Sequence, residues 1–438
     1  MARGVVGLRG PINFKRNRFR IGGRSAAIAA TLVALFAVPF MISVAGCGQP
    51  ANTSGALQAK VTAGPLPERV TQMGFNLIKG VSTSDAGSNV FVSPASLELA
   101  LAMTMNGAAG GTLAAMQETL QLQGLSMDEV NSANKTMTEW LEQLDQKVEL
   151  KIANSLWAKK DVAFSPTFLA ANKEFYGAKV ESLDFSSPSA AKTINSWVSD
   201  ATNGKIKEMV KPPIDAQTIL LLLNAIYFKG EWTSKFEESN TKDRQFTTGG
   251  GSTKTVPMMS QTGKFRYLDN GEFQAIFLPY GAGRTGMYVF LPKGTGSLPA
   301  FVNGLNAQAW GQWMSQFSET EGDISMPRFT LEYEKALKDT LTAMGMGVAF
   351  EPDKADFSLM LKQGSADKPF IQSVTQKTFV DVNEKGTEAA AATSVQVGVT
   401  AMPSEGNHFT MVVDHPFYFV ITDDAGKVVL FEGSVFNP

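Results

Sequence analysis

From Glu384 to Ile421 the chain reads EKGTEAAAATSVQVGVTAMPSEGNHFTMVVDHPFYFVI. The stretch opens with one charged step, Glu384-Lys385-Gly386, and passes into small uncharged side chains from Ala389 to Ser394. A slightly apolar tract, Val395 to Met402, leads to Pro403-Ser404-Glu405-Gly406-Asn407, and the run from Phe409 to Ile421 is strongly β-like. With the period of two of a strand, Thr387, Ala389, Ala391 and Thr393 share one face, and Glu388, Ala390, Ala392 and Ser394 share the other. The first face has neither charge nor bulk, so the segment could enter the middle of a sheet without clash or unpaired charge. Alanine is nonetheless a poor strand former and a good helix former. Composition alone reads the segment as an Ala-rich helical turn or a loose linker.

The order of motifs adds to that reading. Glu384-Lys-Gly-Thr-Glu-Ala-Ala-Ala-Ala-Thr393 resembles the hinge of the reactive loop in serpins. Met411-Val-Val-Asp-His-Pro-Phe-Tyr-Phe-Val-Ile421 is similar to the serpin signature downstream of that loop, and the chain closes on Leu430-Phe-Glu-Gly-Ser-Val-Phe-Asn-Pro438. The resemblance spans residues 66–438. It implies an α+β serpin fold: a single domain with a large mixed β-sheet A, two smaller sheets, about nine helices and an exposed reactive loop at about 384–408. It also implies a suicide-substrate inhibitor of serine proteases, in which a covalent acyl-enzyme is trapped when the cleaved loop inserts into sheet A. The hinge would be Glu384, Gly386, Thr387, Ala389, Ala390, Ala391, Ala392 and Thr393. Thr387, its first inward residue, is expected near the surface before cleavage. Counted by the family's usual loop length from Gly386, the reactive bond falls at Thr400-Ala401. The loop is longer than in many relatives, so Val399-Thr400 and Met402-Pro403 remain alternatives.

The first 46 residues read as targeting rather than fold. Arg3, Arg9, Lys15, Arg16, Arg18, Arg20 and Arg24 form a basic leader without an acid, and an apolar run follows from Ala26 to Gly46. Those are the n- and h-regions of an export signal. The run ends Val44-Ala45-Gly46-Cys47, which resembles the lipobox of bacterial lipoproteins. A lipobox implies removal of residues 1–46, lipid on Cys47 and a body exported and anchored to a bacterial membrane. The alternative is an uncleaved membrane helix, though Pro39 interrupts the run. Residues 47–65, small and polar, read as a lipidated flexible tether. Of 39 basic side chains 7 lie in residues 1–46, leaving 32 against 41 acidic ones. An acidic body of that kind argues against nucleic acid as partner and offers no basic patch for anionic lipid.

Hydrophobic residues make up 44% of the chain and charged ones 18%, which fits a packed globular body. Pro67 suits the first turn of a helix beginning at Leu66. Ser93 can cap, and Pro94 start, a helix whose side chains Ala95, Leu97, Leu99, Leu101, Ala102, Met103 and Met105 are apolar nearly all round, as in a helix buried in a large protein. Val148–Trp157, Ala178–Phe185, Phe273–Leu278 and Met287–Leu291 read as strands, Pro166–Tyr176 as a helix. Ile324–Phe329 resembles one long strand. Ile219–Phe228 is apolar on both faces, as in a strand buried on both sides, and Asn224 within it must find partners. By the resemblance, Ser93, Ser96, Asn224 and Gln376 belong to a latch where sheet A opens. Gln376 stands where the family often has histidine, and an amide can still donate and accept. Trp232 would lie beneath the point where the loop enters, and Arg328 would pair with Glu384. Read without the resemblance, the two serines are a cap and a helix-surface residue, and Trp232 is a core aromatic.

Nothing in the sequence assembles a catalytic centre. The chain has two histidines, His408 and His415, and one cysteine, so no intrachain disulfide forms and a histidine or thiolate metal cage is not expected. No Gly-x-Ser-x-Gly elbow, phosphate loop or dinucleotide glycine motif occurs. Neither metal nor cofactor is expected, and the chain reads as a monomeric non-enzyme whose partners are a target serine protease and a membrane held through Cys47. A second reading is a non-inhibitory surface lipoprotein of the same fold; the small, uncharged inward positions of the hinge favour inhibition. The reading of Cys47 predicts that Cys47→Ser accumulates as unprocessed precursor and loses metabolic labelling by fatty acid. Equal labelling of the variant would remove the lipoprotein reading.

Overall fold

The structure is a computed structural model that describes residues 53–144, 146–294, 296–387, 408–425 and 427–438. Its first part contains α1 (Thr53–Thr62), α2 (Leu66–Ser84), β1 (Val90–Val92), α3 (Pro94–Met105), α4 (Gly110–Thr119), α5 (Met127–Leu141), β2 (Val148–Lys159), α6 (Pro166–Tyr176), β3 (Lys179–Leu183), α7 (Pro188–Ala201) and β4 (Leu220–Glu231). There follow β5 (Lys242–Thr247), β6 (Thr253–Asp269), β7 (Phe273–Tyr280), β8 (Thr285–Pro292), α8 (Leu298–Gly304), α9 (Ala307–Gln316), β9 (Ser318–Pro327), β10 (Phe329–Ala336) and α10 (Lys338–Leu341). The last strands are β11 (Thr375–Asn383), β12 (Gly386–Thr387), β13 (Phe409–Val412), β14 (Phe417–Asp423) and β15 (Val428–Val435).

Among the described residues the strands form two sheets. Six strands lie in the order β10-β11-β12-β4-β2-β3, and nine in the order β1-β15-β14-β8-β7-β6-β9-β13 with β5 on β6. The two smaller sheets expected from the sequence are continuous here. The reason is β6, whose 17 residues pair with β5 near one end, with β9 along most of their length and with β7 at the other end. The mixed α+β architecture with a large sheet is as expected.

The central helix follows from its own sequence. Ser93 Oγ accepts from Ser96 N at 3.3 Å, Pro94 occupies the first turn, and the apolar side chains of α3 from Ala95 to Met105, apart from the partly buried Ala100, are at most 3% exposed. Apolar side chains surround the helix, and α3 lies between β4 of one sheet and β15 of the other, beside α2. On the opposite face of the six-stranded sheet, α7 packs Ala190, Ala191 and Ile194 against Trp157, Phe185 and Val210.

Three expectations are corrected. Residues 53–62, read as tether, are helix α1: Ala56, Leu57, Gln58, Ala59 and Lys60 are good helix formers, and Val61 is buried while Gln58 Nε2 donates to Ala425 O at 3.1 Å. Ile324–Phe329 is not one strand; β9 ends at Pro327 and β10 begins at Phe329 in the other sheet, so the chain changes sheet at Arg328. The lower half of β4 is not buried on both faces, since Leu220 to Leu223 are only partly covered. Residues 1–46, read as an export signal, and Cys47 lie outside the described residues.

Two carboxyl groups are fully buried. Glu98 on α3 accepts from Asn134 Nδ2 at 3.0 Å, and burial raises its pKa to about 7 against that bond. Glu432 on β15 accepts from Tyr418 OH; burial raises it to about 8, opposed by that bond and by the charge of Lys79. Each acid has a folded pKa above its ordinary 4.5. The folded state therefore holds the extra protons, and the contribution to stability present below pH 4.5 is lost as pH rises towards 7 and 8. Glu98→Gln and Glu432→Gln should each gain stability relative to wild type between pH 5 and pH 8, by up to a few kcal/mol. Denaturant titrations at the two pH values measure the change; a difference from wild type that stays constant with pH would contradict it.

Candidate functional site: the hinge and the open sheet

The site is built where β11 turns back into the sheet. Asn383 Oδ1 accepts from Lys385 N at 3.0 Å, closing the turn, and Gly386-Thr387 then enters between two strands as β12. On one side Val382 faces Thr387 and Asn383 faces Gly386; on the other Gly386 faces Glu231 and Thr387 faces Gly230. Two glycines make this approach possible. Gly386 has φ +150°, and a Cβ there would come within 2.0 Å of Gly230 O. A Cβ on Gly230 would meet the Tyr280 ring at 2.9 Å. A side chain at 386 would displace the facing strand, and one at 230 would displace the Tyr280 ring.

Around this point the sequence-predicted residues converge. Arg328 donates to Glu384 Oε1 from Nε at 2.7 Å and from Nη2 at 2.6 Å, and Thr241 Oγ1 donates to the same oxygen. Burial works to raise the pKa of Glu384, but the hydrogen bonds from Arg328 and Thr241 outweigh it and hold the carboxyl below the usual range. Trp232 lies under the turn: its Nε1 donates to Asn383 O at 2.9 Å and its backbone N to Lys385 O at 3.0 Å. Tyr280 stacks on Trp232 with centroids 4.4 Å apart and puts its hydroxyl 2.5 Å from Thr387 Oγ1. Thr387 is 1% exposed, which corrects the expectation that it lies near the surface. Its side chain is covered because the glycines at 230 and 386 let the hinge sink between the strands.

Below β12 the two flanking strands part. Among the described residues β4 and β11 share no ladder of their own. A cavity of about 750 Å³ separates Leu220–Asn224 from Ser373–Lys377, with α3 as its floor at Ser96, Leu97, Ala100 and Leu101. The expected latch is split across it. On the β11 bank, Gln376 Oε1 accepts from Ser93 N at 3.0 Å and its Nε2 donates to Ser93 O at 2.8 Å. On the β4 bank, Ser96 Oγ donates to Asn224 Oδ1, and Asn224 Nδ2 donates to Asn154 Oδ1 at 2.6 Å. Asn154 in turn donates to Tyr176 O at 2.8 Å. The amide at 376 thus does donate and accept, but to the helix backbone. Both banks are fastened to α3 and not, in the described hydrogen bonds, to each other.

Thr241, Tyr280 and Asn154 were not singled out in the sequence. Tyr280 follows Pro279 at a strand end, where no periodicity marks it. Ala389, Ala390, Ala391, Ala392 and Thr393 of the hinge, and Val399, Thr400, Ala401 and Met402 at the candidate bond, lie outside the described residues. The two histidines are engaged by other groups: His408 Nε2 lies 2.8 Å from Asp323 Oδ2, and His415 has Asp414 Oδ1 at 2.7 Å from Nδ1 and Pro292 O at 2.9 Å from Nε2.

Comparison with known proteins agrees with this architecture. The family model for serpins (serine protease inhibitors) matches residues 68–438. An uncharacterized serpin-like protein of Thermococcus kodakarensis is 35% identical over 382 residues, covering 85% of this chain and 86% of the relative. The leukocyte elastase inhibitor of Homo sapiens is 35% identical over 381 residues, covering 84% of this chain and 98% of the relative. The crystal structure of the thermophilic serpin tengpin in its native state superposes with a TM-score of 0.78 at 31% identity, over 85% of this chain and 94% of that one. Matched from the first turns of α2 to the last residue, the chain belongs to the serpin family.

Proposed function

We propose that this chain inhibits serine proteases by insertion of its own cleaved loop. One observation carries the reading: among the described residues, Gly386-Thr387 is all that joins β4 to β11 at the top of the six-stranded sheet, and a cavity lies between the two strands below. Strand edges of this kind present unpaired backbone donors and acceptors that favour pairing with a further strand. The small inward face of the hinge sequence is suited to that space.

The chemistry is a competition of rates. The serine Oγ of the protease attacks the carbonyl carbon of Thr400, the C–N bond to Ala401 breaks, and the new amine leaves with a proton. Thr400 is then held as an ester on the protease. Water would release it, but the freed strand extends the pairing begun by β12 and carries the protease with it, distorting its active site. No Lys or Arg lies between Gly386 and Met411, and no aromatic residue precedes Phe409 in that stretch. Small and β-branched side chains suit an elastase-like or subtilisin-like pocket, and several relatives are named leukocyte elastase inhibitors. We place this activity on an exported body anchored through lipid on Cys47, since the residue ends an apolar export segment.

An elastase mixed with the protein should give a complex that survives boiling in detergent, and trypsin should not. Complete cleavage by a panel of elastases and subtilisins without any complex would overturn the inhibitory reading. A second expectation concerns the anchor above the gap. Arg328 is 42% exposed, so its pair with Glu384 contributes only about 0.2–1 kcal/mol to the whole fold. Its effect is local: Glu384→Lys breaks the anchor and places two cations together at the top of the open sheet. The variant should convert or polymerise faster than wild type on warming, as read by native gel. A variant that stays monomeric and inhibitory for as long as wild type would show that the pair does not hold the sheet.

A further inference from the structure

Tyr280 belongs to one sheet and holds the hinge of the other. It is the last residue of β7, and its side chain is completely buried. Three residues of the β4 segment fix the ring. Trp232 stacks on it at 4.4 Å and 10°, Phe228 meets it edge-on at 5.2 Å, and Gly230 leaves the space the ring occupies. The backbone of Tyr280 also bridges to that of Trp232. The ring is therefore part of the frame. Its hydroxyl lies 2.5 Å from Thr387 Oγ1, also buried, and either oxygen can donate.

We propose that Tyr280 is a positioning residue that keeps the hinge docked by two residues, so that insertion starts with Thr387 already seated. Three features support the role. Among the described residues the hinge pairs through two residues on each side, a short ladder to hold a strand end by backbone pairing. A buried hydroxyl without a partner is unfavourable, so withdrawing either group penalises the other. The ring is immobilised by contacts that do not involve the hinge, so it supplies a fixed point. The docked state itself is independent of protease. Its consequence for trapping rests on the inhibitory reading above: an undocked hinge must seat Thr387 before it can advance, which gives water more time to hydrolyse the ester.

The test is hydrogen exchange on the full chain, read in the peptide that covers Glu384 to Thr387. Tyr280→Phe keeps the ring and its stack on Trp232 but removes the hydroxyl. Exchange in that peptide should quicken at least tenfold, while peptides from β7 and β8 keep the wild-type rate. Thr387→Val alone should do the same. Tyr280→Phe with Thr387→Val, which makes both partners apolar, should restore much of the protection, because the loss comes from orphaning one hydroxyl. Unchanged exchange in Tyr280→Phe overturns the proposal. So does quickened exchange throughout β7 and β8, and so does a double variant less protected than either single one. An elastase titration forms a separate arm, in which Tyr280→Phe should need more inhibitor per protease trapped. If wild type traps no protease, the inhibitory reading fails, and the exchange result still decides the role of Tyr280.

Discussion

The hinge is pinned at a place where two strands come apart. Gly386-Thr387 bridges β11 and β4 at the top of the sheet, and the cavity begins just beneath. Everything nearby serves that geometry. Two glycines allow the approach, Arg328 and Thr241 hold the carboxylate of Glu384 at the turn, and Trp232 supports the turn from below. The distant supports matter as much. Each bank of the gap is tied to α3, through Gln376 and Ser93 on one side and Asn224 and Ser96 on the other. Moving one bank relative to the other therefore means moving a bank relative to α3.

This gives the polar residues around α3 a physical role that hydrophobic burial alone would not require. Asn224, Asn154, Ser96 and Gln376 are all at most 6% exposed, and each finds a partner. Such groups contribute little net stability when satisfied but are unfavourable when orphaned. They therefore select one arrangement of the banks more than they strengthen it. Glu98, on the same helix, works in the opposite sense at neutral pH, because its buried carboxyl must either keep a proton or carry an uncompensated charge.

The sequence carried most of the elements and part of the site. Helix α3 was legible because its apolar residues leave no polar face, and β2, β7 and β8 because alternation or short runs of apolar residues mark them. The positions of Ser93, Asn224, Gln376, Trp232, Arg328 and Glu384 came through the motif resemblance, and their contacts required coordinates. What stayed hidden depends on partners far along the chain. Nothing local shows that the backbone changes sheet at Arg328, since both Ile324–Pro327 and Phe329 onward are strand-like. Likewise Phe409–Ile421 reads as one run but is two strands, β13 and β14, in different places of the sheet order, divided before Pro416. The burial of Thr387 depends on glycine at 230 and tyrosine at 280, and no periodicity links the three. Helix α1 was obscured by the Gly, Ser and Thr around its helix-forming centre.

Magnitudes decide what kind of stability the proposed mechanism needs. A strand inserted along β4 and β11 would add on the order of ten ladder bonds, each contributing about 0.5–1.5 kcal/mol net. The described fastenings that resist opening at the top of the sheet are few: the Glu384 cluster and the Trp232 contacts. Their sum is of the same order as a few such bonds, so they cannot outweigh a full strand at equilibrium. If the loop does insert, the open form must persist because leaving it is slow, and its operative stability is a rate. That places the burden on the first steps out of the open state, where a small number of bonds still makes up most of the barrier. Each 1.4 kcal/mol at that stage changes the rate about tenfold. On the proposed mechanism the Glu384 anchor would oppose those first steps, and the glycines at 230 and 386 and the Tyr280 hydroxyl would favour them by seating Thr387, so single contacts at the top of the sheet would carry weight far beyond their share of the fold.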